Sequence, residues 1–317
     1  MRDSVLVEAP ARLHLGLIDL RGELGRRFGG MGAALAAPSL LLEARRADGL
    51  SAEGPEGEAL LPLARRFLDR HGIQAGAALC VRRAIPRHVG LGSGTQLAMA
   101  TGRALSALYG LDCDARGLAQ ATGRALRSAI GTWAFAQGGF ILEGGRRTED
   151  DAPAPLLLRH AMPADWRCVL AIPDVPRGLS GAAEEEAFRT LPPPPRELVA
   201  RIAHLVLMRV LPALVEADLP SFGRGVSEVQ RLVGDCFRPV QGERFAHPRS
   251  AELIEALLAE GAAGAGQSSW GPTVFALADG DAAAARLEAH ARALLAGRGQ
   301  LYVTRFDNAG ARCTPAS

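Results

Sequence analysis

The feature that most constrains this chain is a glycine-rich segment between a predicted strand and a predicted helix. The segment reads Pro86-Arg-His-Val-Gly-Leu-Gly-Ser-Gly-Thr-Gln96, with a strand predicted over 77–83 before it and a helix over 95–108 after it. Its glycines let the backbone turn several N–H groups toward one point, and the following helix adds the positive end of its dipole. A tight turn that needs glycine only for positive φ is the alternative. The order of strand, loop and helix favours an anion-binding loop, whose glycines are Gly90, Gly92 and Gly94.

Polar side chains stand within and beside this loop. Ser93 and Thr95 can donate hydroxyl hydrogen bonds to a bound anion or coordinate a metal that accompanies it. His88 can donate to a phosphate or assist a leaving group, or it can pack the loop. Arg12 and His14 share one face of the first predicted strand, where Arg12 could clamp an anion and His14 is equally compatible with a hydrogen-bonded core position.

The chain contains no lysine, and all 36 of its basic Lys-plus-Arg positions are arginine. Schiff-base, pyridoxal-phosphate and lysine-bearing P-loop mechanisms are therefore excluded. Any phosphate must be bound by arginine, by backbone N–H groups or by a metal. The arginines are scattered and the formal net charge is +2, so the basic stripe expected of a nucleic-acid-binding protein is missing from the sequence.

Cysteine usage and hydropathy indicate the compartment. The five cysteines form no Cys-x-x-Cys pair, so neither a zinc site nor a disulfide framework is indicated. The N-terminal segment has charges and Pro10 inside its apolar stretch, and no apolar run of the sequence reaches bilayer-spanning length. We expect a cytoplasmic protein that binds small molecules and neither nucleic acid nor membrane.

The predicted elements mix strands and helices, which is typical of the α/β or α+β class. The first strand, over 4–18, leads into a glycine-rich connection over 22–32. The length of 317 residues favours two domains, because single cores rarely grow beyond about 250 residues. The Gly- and Pro-containing stretch 144–155 is the predicted boundary, which divides the chain into 1–150 and 151–317. Further helices are predicted over 60–69, 114–126, 196–216, 250–259 and 282–295, and further strands over 140–143, 168–172, 273–278 and 301–306.

Three motifs resemble those of the GHMP small-molecule kinases, which include galactokinase, homoserine kinase and mevalonate kinase. Ala9-Pro-Ala-Arg-Leu-His-Leu-Gly16 is similar to their first motif, the loop at 86–96 to their second and Gly264-Ala-Gly-Gln-Ser-Ser-Trp-Gly271 to their third. The resemblance implies an α+β, two-domain fold, with an N-terminal domain like ribosomal protein S5 domain 2 and a ferredoxin-like C-terminal domain. An anion site would lie between the two domains.

One departure from the kinase pattern concerns catalysis. These kinases carry an Asp seven residues before a Gly-Gly pair, where it polarises the substrate hydroxyl, but this chain has Gly131 seven residues before Gly138. A glycine cannot act as a general base. The chain therefore keeps the phosphate loop without the acid–base group of the kinases.

A branch of the superfamily that is not a kinase matches the chain more fully. Segments at 12–19, 88–96, 137–140 and 266–272 resemble those of the β-ribofuranosylaminobenzene 5′-phosphate synthases. The resemblance implies condensation of 5-phosphoribosyl-1-diphosphate with 4-aminobenzoate or 4-hydroxybenzoate in tetrahydromethanopterin biosynthesis, with release of CO₂ and diphosphate. It also implies Mg²⁺ bound with the diphosphate, no organic cofactor and a homodimer. An ATP-dependent GHMP-type kinase and a non-catalytic phosphate-ligand sensor are the alternatives.

The resemblance further implies roles for individual residues. Asp19 would bind Mg²⁺ or face the ribosyl C1, and a turn role before Gly22 is the alternative. Asp19, Arg12 and His88 would form the catalytic set, while Trp270 would stack on the acceptor ring or fill the core between the domains. The substrate-binding residues would be His14, Gly90, Gly92, Ser93, Gly94, Thr95, Gln96, Arg127, Gly266, Gln267, Ser268, Ser269, Trp270 and Asp307.

Overall fold

Two largely antiparallel sheets and ten α-helices are found in the part of the chain that the computed structural model describes, which is residues 2–124, 128–147, 149, 152–179 and 181–316. Sheets and helices occur together as expected, and the α+β class is confirmed. Arg127 lies outside the described residues.

The first sheet is built around two long strands. The strands of the chain are β1 (Ser4–Asp19), β2 (Arg26–Ala47), β3 (Ser51–Glu53), β4 (Gly76–Arg83), β5 (Phe140–Glu143), β6 (Arg146–Arg147), β7 (Leu156–His160), β8 (Trp166–Pro173), β9 (Gly264–Gln267), β10 (Val274–Asp279), β11 (Gly299–Arg305) and β12 (Arg312–Pro315). The first sheet has the order β12-β1-β2-β4-β3, with β5 and β6 on β2 and β7 on β5. Only β3 and β4 pair in parallel among these described strands.

The strand β2 corrects one prediction. The connection expected over 22–32 is wrong from Arg26 onward, because β2 begins there and pairs with β1. The glycines permit this close pairing, since a Cβ on Gly32 would stand 2.5 Å from the carbonyl oxygen of Leu13. A run of glycines is typical of a loop, and only the neighbouring strand shows why side chains are excluded here.

The helices flank the sheets and bridge them. They are α1 (Gly57–Arg70), α2 (Ser93–Tyr109), α3 (Ala115–Ala121), α4 (Ile130–Gln137), α5 (Ala182–Thr190), α6 (Arg196–Leu205), α7 (Leu211–Val215), α8 (Leu219–Gln241), α9 (Pro248–Ala259) and α10 (Gly280–Leu295), with a π-helical segment at Val206–Val210. The helix predicted over 114–126 ends at Ala121 in the described residues. The sequence pattern does not predict α4, α5 or α8.

The helix α8 joins the two sheets. A Cβ on Gly223 would stand 2.1 Å from the carbonyl oxygen of Ala263, so this helix lies directly against the backbone that leads into β9. On the other side, Nε2 of Gln230 donates to the Leu15 carbonyl of β1 at 2.8 Å. Oε1 of the same side chain accepts from the Gln267 N–H at 3.0 Å. Glycines, which weaken a helical pattern in sequence, are required here by close packing.

The second sheet has the antiparallel order β11-β8-β10-β9. Its core includes the buried side chains Leu253 and Leu257 of α9 and Leu287 of α10. The strands β7 and β12 lie after residue 150 and join the first sheet, so both halves of the chain contribute to that sheet. The division into 1–150 and 151–317 stays a prediction.

The prediction that no apolar run reaches bilayer-spanning length is wrong for one described helical stretch, because Arg196–Val215 is long and apolar enough to cross a membrane by length and composition alone. Core helices of soluble proteins pass the same test. Only 28% of its most apolar window is buried: Ile202, Val206 and Leu214 pack against the rest of the fold, whereas Leu207, Met208 and Val215 are exposed. The stretch is therefore weak evidence for a membrane segment.

Candidate functional site

A cavity of about 530 Å³ is lined by residues from both sheets, from the loop at 86–96 and from α5 and α8. It brings together most of the side chains and glycines that the sequence singles out, although these are far apart along the chain. The predicted residues that line it are Arg12, His14, His88, Gly90, Gly92, Ser93, Gly94, Thr95, Gln267, Ser269 and Trp270.

The glycine loop is fixed from two sides. Ser268 Oγ donates to the Gly90 carbonyl at 2.7 Å and accepts from the His14 N–H at 3.0 Å. The Arg12 N–H donates to the Leu91 carbonyl at 3.0 Å. A Cβ on Gly90 would stand 2.0 Å from the Ser268 carbonyl oxygen, so only glycine fits between β1 and the segment after β9. Ser268 thus positions the loop without lining the cavity.

Arg12 on β1 contacts the backbone of the glycine loop. Its Nη1 donates to the Gly90 carbonyl at 2.8 Å, and its buried Nε has no hydrogen-bond partner among the described residues. Burial lowers the pKa of Arg12 to about 10, and the negative charge of Glu184 partly opposes that shift. Arg12 therefore stays charged at neutral pH, with an unused donor at the loop. An anion is the ligand that such a group favours.

The first turn of α2 completes this end of the cavity, which we call the anion end and define as Arg12, Gly90, Gly92–Thr95 and Arg124. Gly92 is the N-cap of α2 with φ +74°, a conformation that favours glycine. A Cβ on Gly94 would lie 3.6 Å from Nη2 of Arg124, so a second guanidinium stands beside the loop. The helix N-terminus and the two guanidinium groups contribute positive charge here, and Glu184 of α5 contributes a negative charge that acts on Arg12.

Gln96 and Gly131 show how the site differs from that of a kinase. Gln96 is fully buried beneath the loop, outside the cavity lining, and its Nε2 donates to the Gly131 carbonyl at 2.9 Å. A Cβ on Gly131 would stand 2.9 Å from Cγ2 of Thr95. A side chain at 131 would therefore meet the methyl group of Thr95, and an acid would not fit there without movement.

Another part of the cavity lining is aromatic, and we call it the aromatic end; it consists of Phe28, Phe188, Phe237, Phe245 and Trp270. The Trp270 and Phe237 ring centroids are 4.5 Å apart, and those of Trp270 and Phe188 are 5.3 Å apart. Trp270 both lines the cavity and packs into this cluster, and it is 7% exposed. The two sequence interpretations of Trp270 are compatible, because one edge packs while the cavity side can meet a ligand.

Phe188 and Phe237 are site residues that sequence reasoning missed. They come from α5 and α8, two helices that the hydrophobic pattern does not predict. Phenylalanine is a scarce residue here, with 10 in 317 positions, so its scarcity was the only available signal. Nothing in their local sequence indicates that the two rings meet Trp270.

Two histidines line the cavity, one buried and one exposed. His14 is 6% exposed, and burial, followed by the positive charge of Arg12, lowers its pKa to about 3. His88 is exposed at the cavity mouth and has φ +57°, an uncommon conformation for a residue other than glycine. Burial of its ring, followed by the charges of Arg87 and Arg177, lowers its pKa. Both imidazoles are therefore biased toward the neutral form.

Some predicted site residues do not line the cavity. Oδ1 of Asp19 accepts from the N–H groups of Arg21 and Gly22 at 2.7 and 2.9 Å, which is a turn contact. Oδ1 of Asp307 accepts from Ala309 and Gly310 in the loop before β12. Gly266 packs against Gln230 of α8, where a Cβ would stand 2.6 Å from its Cγ. The roles assigned to these residues stay predictions.

Carboxylates that could share a metal with a phosphate ligand are provided by α5. Glu184 and Glu185 in its first turn line the cavity. No group of three or more His, Cys, Asp or Glu side chains suited to a metal occurs within the described ranges. Mg²⁺ commonly needs only one or two carboxylates together with substrate phosphates. Glu184 and Glu185 fit that requirement better than Asp19, which faces the turn.

The sequence is similar to known families over most of its length. The model described as the GHMP kinases N terminal domain matches residues 59–139, and that described as GHMP kinases C terminal matches 210–296. A β-ribofuranosylphenol 5′-phosphate synthase of Methanothermobacter thermautotrophicus is 35% identical over 97% of this chain and 98% of its own length. A protein of the same name from Archaeoglobus fulgidus is 37% identical over 87% of this chain and 88% of its own.

Solved structures show the same fold at low sequence identity. L. major mevalonate kinase, in complex with R-mevalonate, superposes with a TM-score of 0.72 at 16% identity, covering 95% of this chain and 96% of its own. Homoserine kinase from Cytophaga hutchinsonii superposes with a TM-score of 0.70 at 19% identity, covering 99% of this chain and 98% of its own. The expected GHMP-type α+β fold is confirmed.

Proposed function

Since the chain belongs to the GHMP kinase superfamily and, within it, to the family of the β-ribofuranosylphenol 5′-phosphate synthases, we propose that it is a decarboxylating phosphoribosyl transferase. The donor would be 5-phosphoribosyl-1-diphosphate and the acceptor 4-hydroxybenzoate or 4-aminobenzoate. The product would be a C-riboside for tetrahydromethanopterin biosynthesis. A cytoplasmic homodimer is part of the same proposal.

The observation that carries this proposal is one cavity with two chemically different ends. The anion end offers backbone N–H groups, Arg12 and Arg124 to a diphosphate. The aromatic end offers Trp270 and its neighbouring rings to a flat acceptor. The proposed reaction joins a diphosphate-carrying donor to an aromatic acceptor, so it needs an anion-binding surface and an aromatic surface in the same cavity.

The proposed chemistry needs no base at the position of Gly131. The acceptor carbon that carries the carboxylate is para to a hydroxyl or amino group, whose lone pair makes that carbon nucleophilic. It attacks the ribosyl C1, a C–C bond forms, and the C1–O bond to diphosphate breaks with its electron pair leaving on the diphosphate. The bond to the carboxylate then breaks as CO₂ leaves, and its electron pair returns to the ring. No substrate hydroxyl has to be deprotonated for attack, unlike in a kinase.

The residues of this chain would act by binding, orienting and excluding water. Arg12 and the loop N–H groups would stabilise the charge that develops on the departing diphosphate. The aromatic end would hold the acceptor ring against C1 and keep water from the electron-poor carbon. Glu184 and Glu185 would hold Mg²⁺ together with the diphosphate, and the ion, when bound, would neutralise part of the leaving-group charge.

The direct test uses carboxyl-labelled acceptors without ATP. Purified protein with Mg²⁺, 5-phosphoribosyl-1-diphosphate and carboxyl-labelled 4-hydroxybenzoate or 4-aminobenzoate should release labelled CO₂ and diphosphate in equal amounts. Measuring the rate of CO₂ release with each acceptor alone shows which acceptor the protein prefers. An absolute need for ATP would favour the kinase alternative, and binding of pyrophosphate without any CO₂ would favour the sensor.

A further inference from the structure

The imidazole of His14 borders the cavity and has unused hydrogen-bonding capacity. The residue is 6% exposed and lines the cavity. Its backbone N–H donates to Ser268 Oγ at 3.0 Å, whereas neither ring nitrogen makes a hydrogen bond to any residue in the described part of the chain. An imidazole that faces a cavity in this way is suited to a ligand.

The position of His14 lies between the two ends of the cavity. Along β1 the lining residues are Arg12, then His14, then Gly16 and Leu17. A bulge between His14 and Gly16 lets Gly16 and Leu17 both line the cavity, although neighbouring strand residues normally face opposite sides. Arg12 contacts the glycine loop of the anion end. Gly16 and Leu17 lead from His14 toward Phe28, which packs on Phe188 of the aromatic end with ring centroids 5.2 Å apart.

Gly30 and several charged residues surround the ring. A Cβ on Gly30 of β2 would stand 3.6 Å from Nε2 of His14, which is an ordinary contact distance. The charged and titratable residues on the surrounding elements are Arg12 on β1, Arg87 and His88 in the loop at 86–96, Arg124 after α3, Glu143 on β5 opposite Gly30, Glu184 and Glu185 on α5 and Arg244 after α8. Burial and the adjacent guanidinium of Arg12 hold the ring neutral at physiological pH.

We propose that His14 accepts a hydrogen bond from the 2-hydroxyl of the ribosyl unit and so positions the donor's C1 between the two ends. This inference rests on the proposed function. In that function C1 is bonded to the diphosphate on one side and attacked by the acceptor on the other, so C1 and its neighbour C2 lie at the middle of the cavity. A neutral imidazole can accept from a hydroxyl, which an imidazolium cannot do. It also places no positive charge beside a carbon that becomes electron-poor.

The experiment compares sugar phosphates that differ by one hydroxyl. Calorimetry would measure ribose 5-phosphate, 2-deoxyribose 5-phosphate and inorganic pyrophosphate on the full chain. We expect wild type to bind ribose 5-phosphate about tenfold more tightly than the deoxy compound, because the deoxy compound leaves the buried imidazole unpaired. His14→Phe should bind both compounds equally, while its pyrophosphate affinity stays within about twofold of wild type. His14→Gln, which restores an acceptor, should recover part of the preference.

A second measurement keeps the inference testable if a variant does not fold. The ring nitrogen chemical shifts of His14 in ¹⁵N-labelled wild type should report one neutral tautomer between pH 5 and 8, and ribose 5-phosphate should move them where 2-deoxyribose 5-phosphate does not. A tenfold preference that persists in His14→Phe would overturn the role of His14 and leave the proposed function standing. Failure of wild type to bind either pyrophosphate or ribose 5-phosphate would overturn both.

Discussion

The anion end and the aromatic end of the cavity are built in opposite ways. The anion end comes mainly from one continuous segment, the loop at 86–96 with the first turn of α2, and its key groups are backbone N–H donors. The aromatic end is assembled from side chains on β2, α5, α8 and the segments after α8 and β9. Backbone donors depend on the conformation of a few glycines, whereas ring packing tolerates substitutions of similar volume.

This difference predicts different sensitivities. A change in the anion end should abolish one kind of binding abruptly, because a single Cβ disturbs several N–H groups at once. A change in the aromatic end should weaken the other kind gradually, because each ring contributes a modest share. Independent loss of the two affinities would show that the ends act separately.

The largest effect is expected for Gly92→Val. Gly92 has φ +74°, and a side chain there would meet Cβ, Cγ and Nε of Arg12 at 3.5 Å. We expect pyrophosphate affinity to fall about a hundredfold, since charge-assisted hydrogen bonds of roughly 1.5–3 kcal/mol each are lost. Calorimetry with pyrophosphate measures binding at the anion end, and calorimetry with 4-hydroxybenzoate measures binding at the aromatic end.

Gly72→Val is the matched control for that variant. Gly72 also has positive φ, at +63°, but a Cβ there would meet nothing within 4 Å. It should lose stability through backbone strain and keep pyrophosphate affinity. Equal pyrophosphate affinities in the two variants would contradict the role of the glycine loop.

The next effect concerns Gly131→Asp, which restores the residue type of the kinases. The new Cβ would stand 2.9 Å from Cγ2 of Thr95, in a buried place. We expect the free energy of unfolding to fall by about 2 kcal/mol through overpacking and burial of a carboxylate. Urea unfolding of Gly131→Asp, Thr95→Ala and the double variant measures the coupling. A double variant no more stable than the sum of the single effects would show that Thr95 does not occupy this space.

A smaller effect is expected for Trp270→Leu at the aromatic end. Loss of ring stacking should weaken 4-hydroxybenzoate binding about tenfold, which combines roughly 0.5–1.5 kcal/mol of stacking with lost contact area. Pyrophosphate affinity should change less than about twofold. Trp166→Leu is the control, because Trp166 is equally buried but packs on Phe222 away from the cavity. Unchanged 4-hydroxybenzoate affinity in Trp270→Leu would assign Trp270 to packing alone.

The smallest effect concerns the pH dependence of the anion end through Glu143. Burial raises the pKa of Glu143 to about 7, and hydrogen bonds from Gly145, Ala129 and Ser128 only partly oppose this. Ser128 also lines the cavity. As pH rises through 7, Glu143 becomes negative and should weaken pyrophosphate binding about threefold.

The variant Glu143→Gln separates this contribution from the titration of pyrophosphate itself. The difference in affinity between wild type and variant should grow as pH rises through 7. The stability of the protein should also depend on the titration of Glu143. Between the ordinary pKa of a glutamate and pH 7, the folded state binds more protons than the unfolded state. The contribution of Glu143 to the free energy of unfolding therefore falls as pH rises through this range. Parallel pH profiles in the two proteins would contradict the assignment.

Much of the fold was predictable where local pattern and packing agree. The strand at 76–83 and the helices at 93–109 and 280–295 match their predictions closely, because apolar periodicity and glycine stops coincide there. The strand β2 and the helix α8 were not predictable in this way. Their glycines suggest loops, yet Gly32 and Gly223 are required by backbone atoms of distant elements.

The sequence by itself determined the glycine-rich loop between a strand and a helix, the absence of lysine and the glycine at 131, because these depend on residue type and on neighbours along the chain. Tertiary structure alone decided which side chains meet the loop. It gave Arg12 an unused Nε among the described residues, turned Asp19 toward its own backbone and placed Phe188 and Phe237 on Trp270. The physical reason is that burial and side-chain contact are set by elements far apart in sequence, which local pattern does not encode.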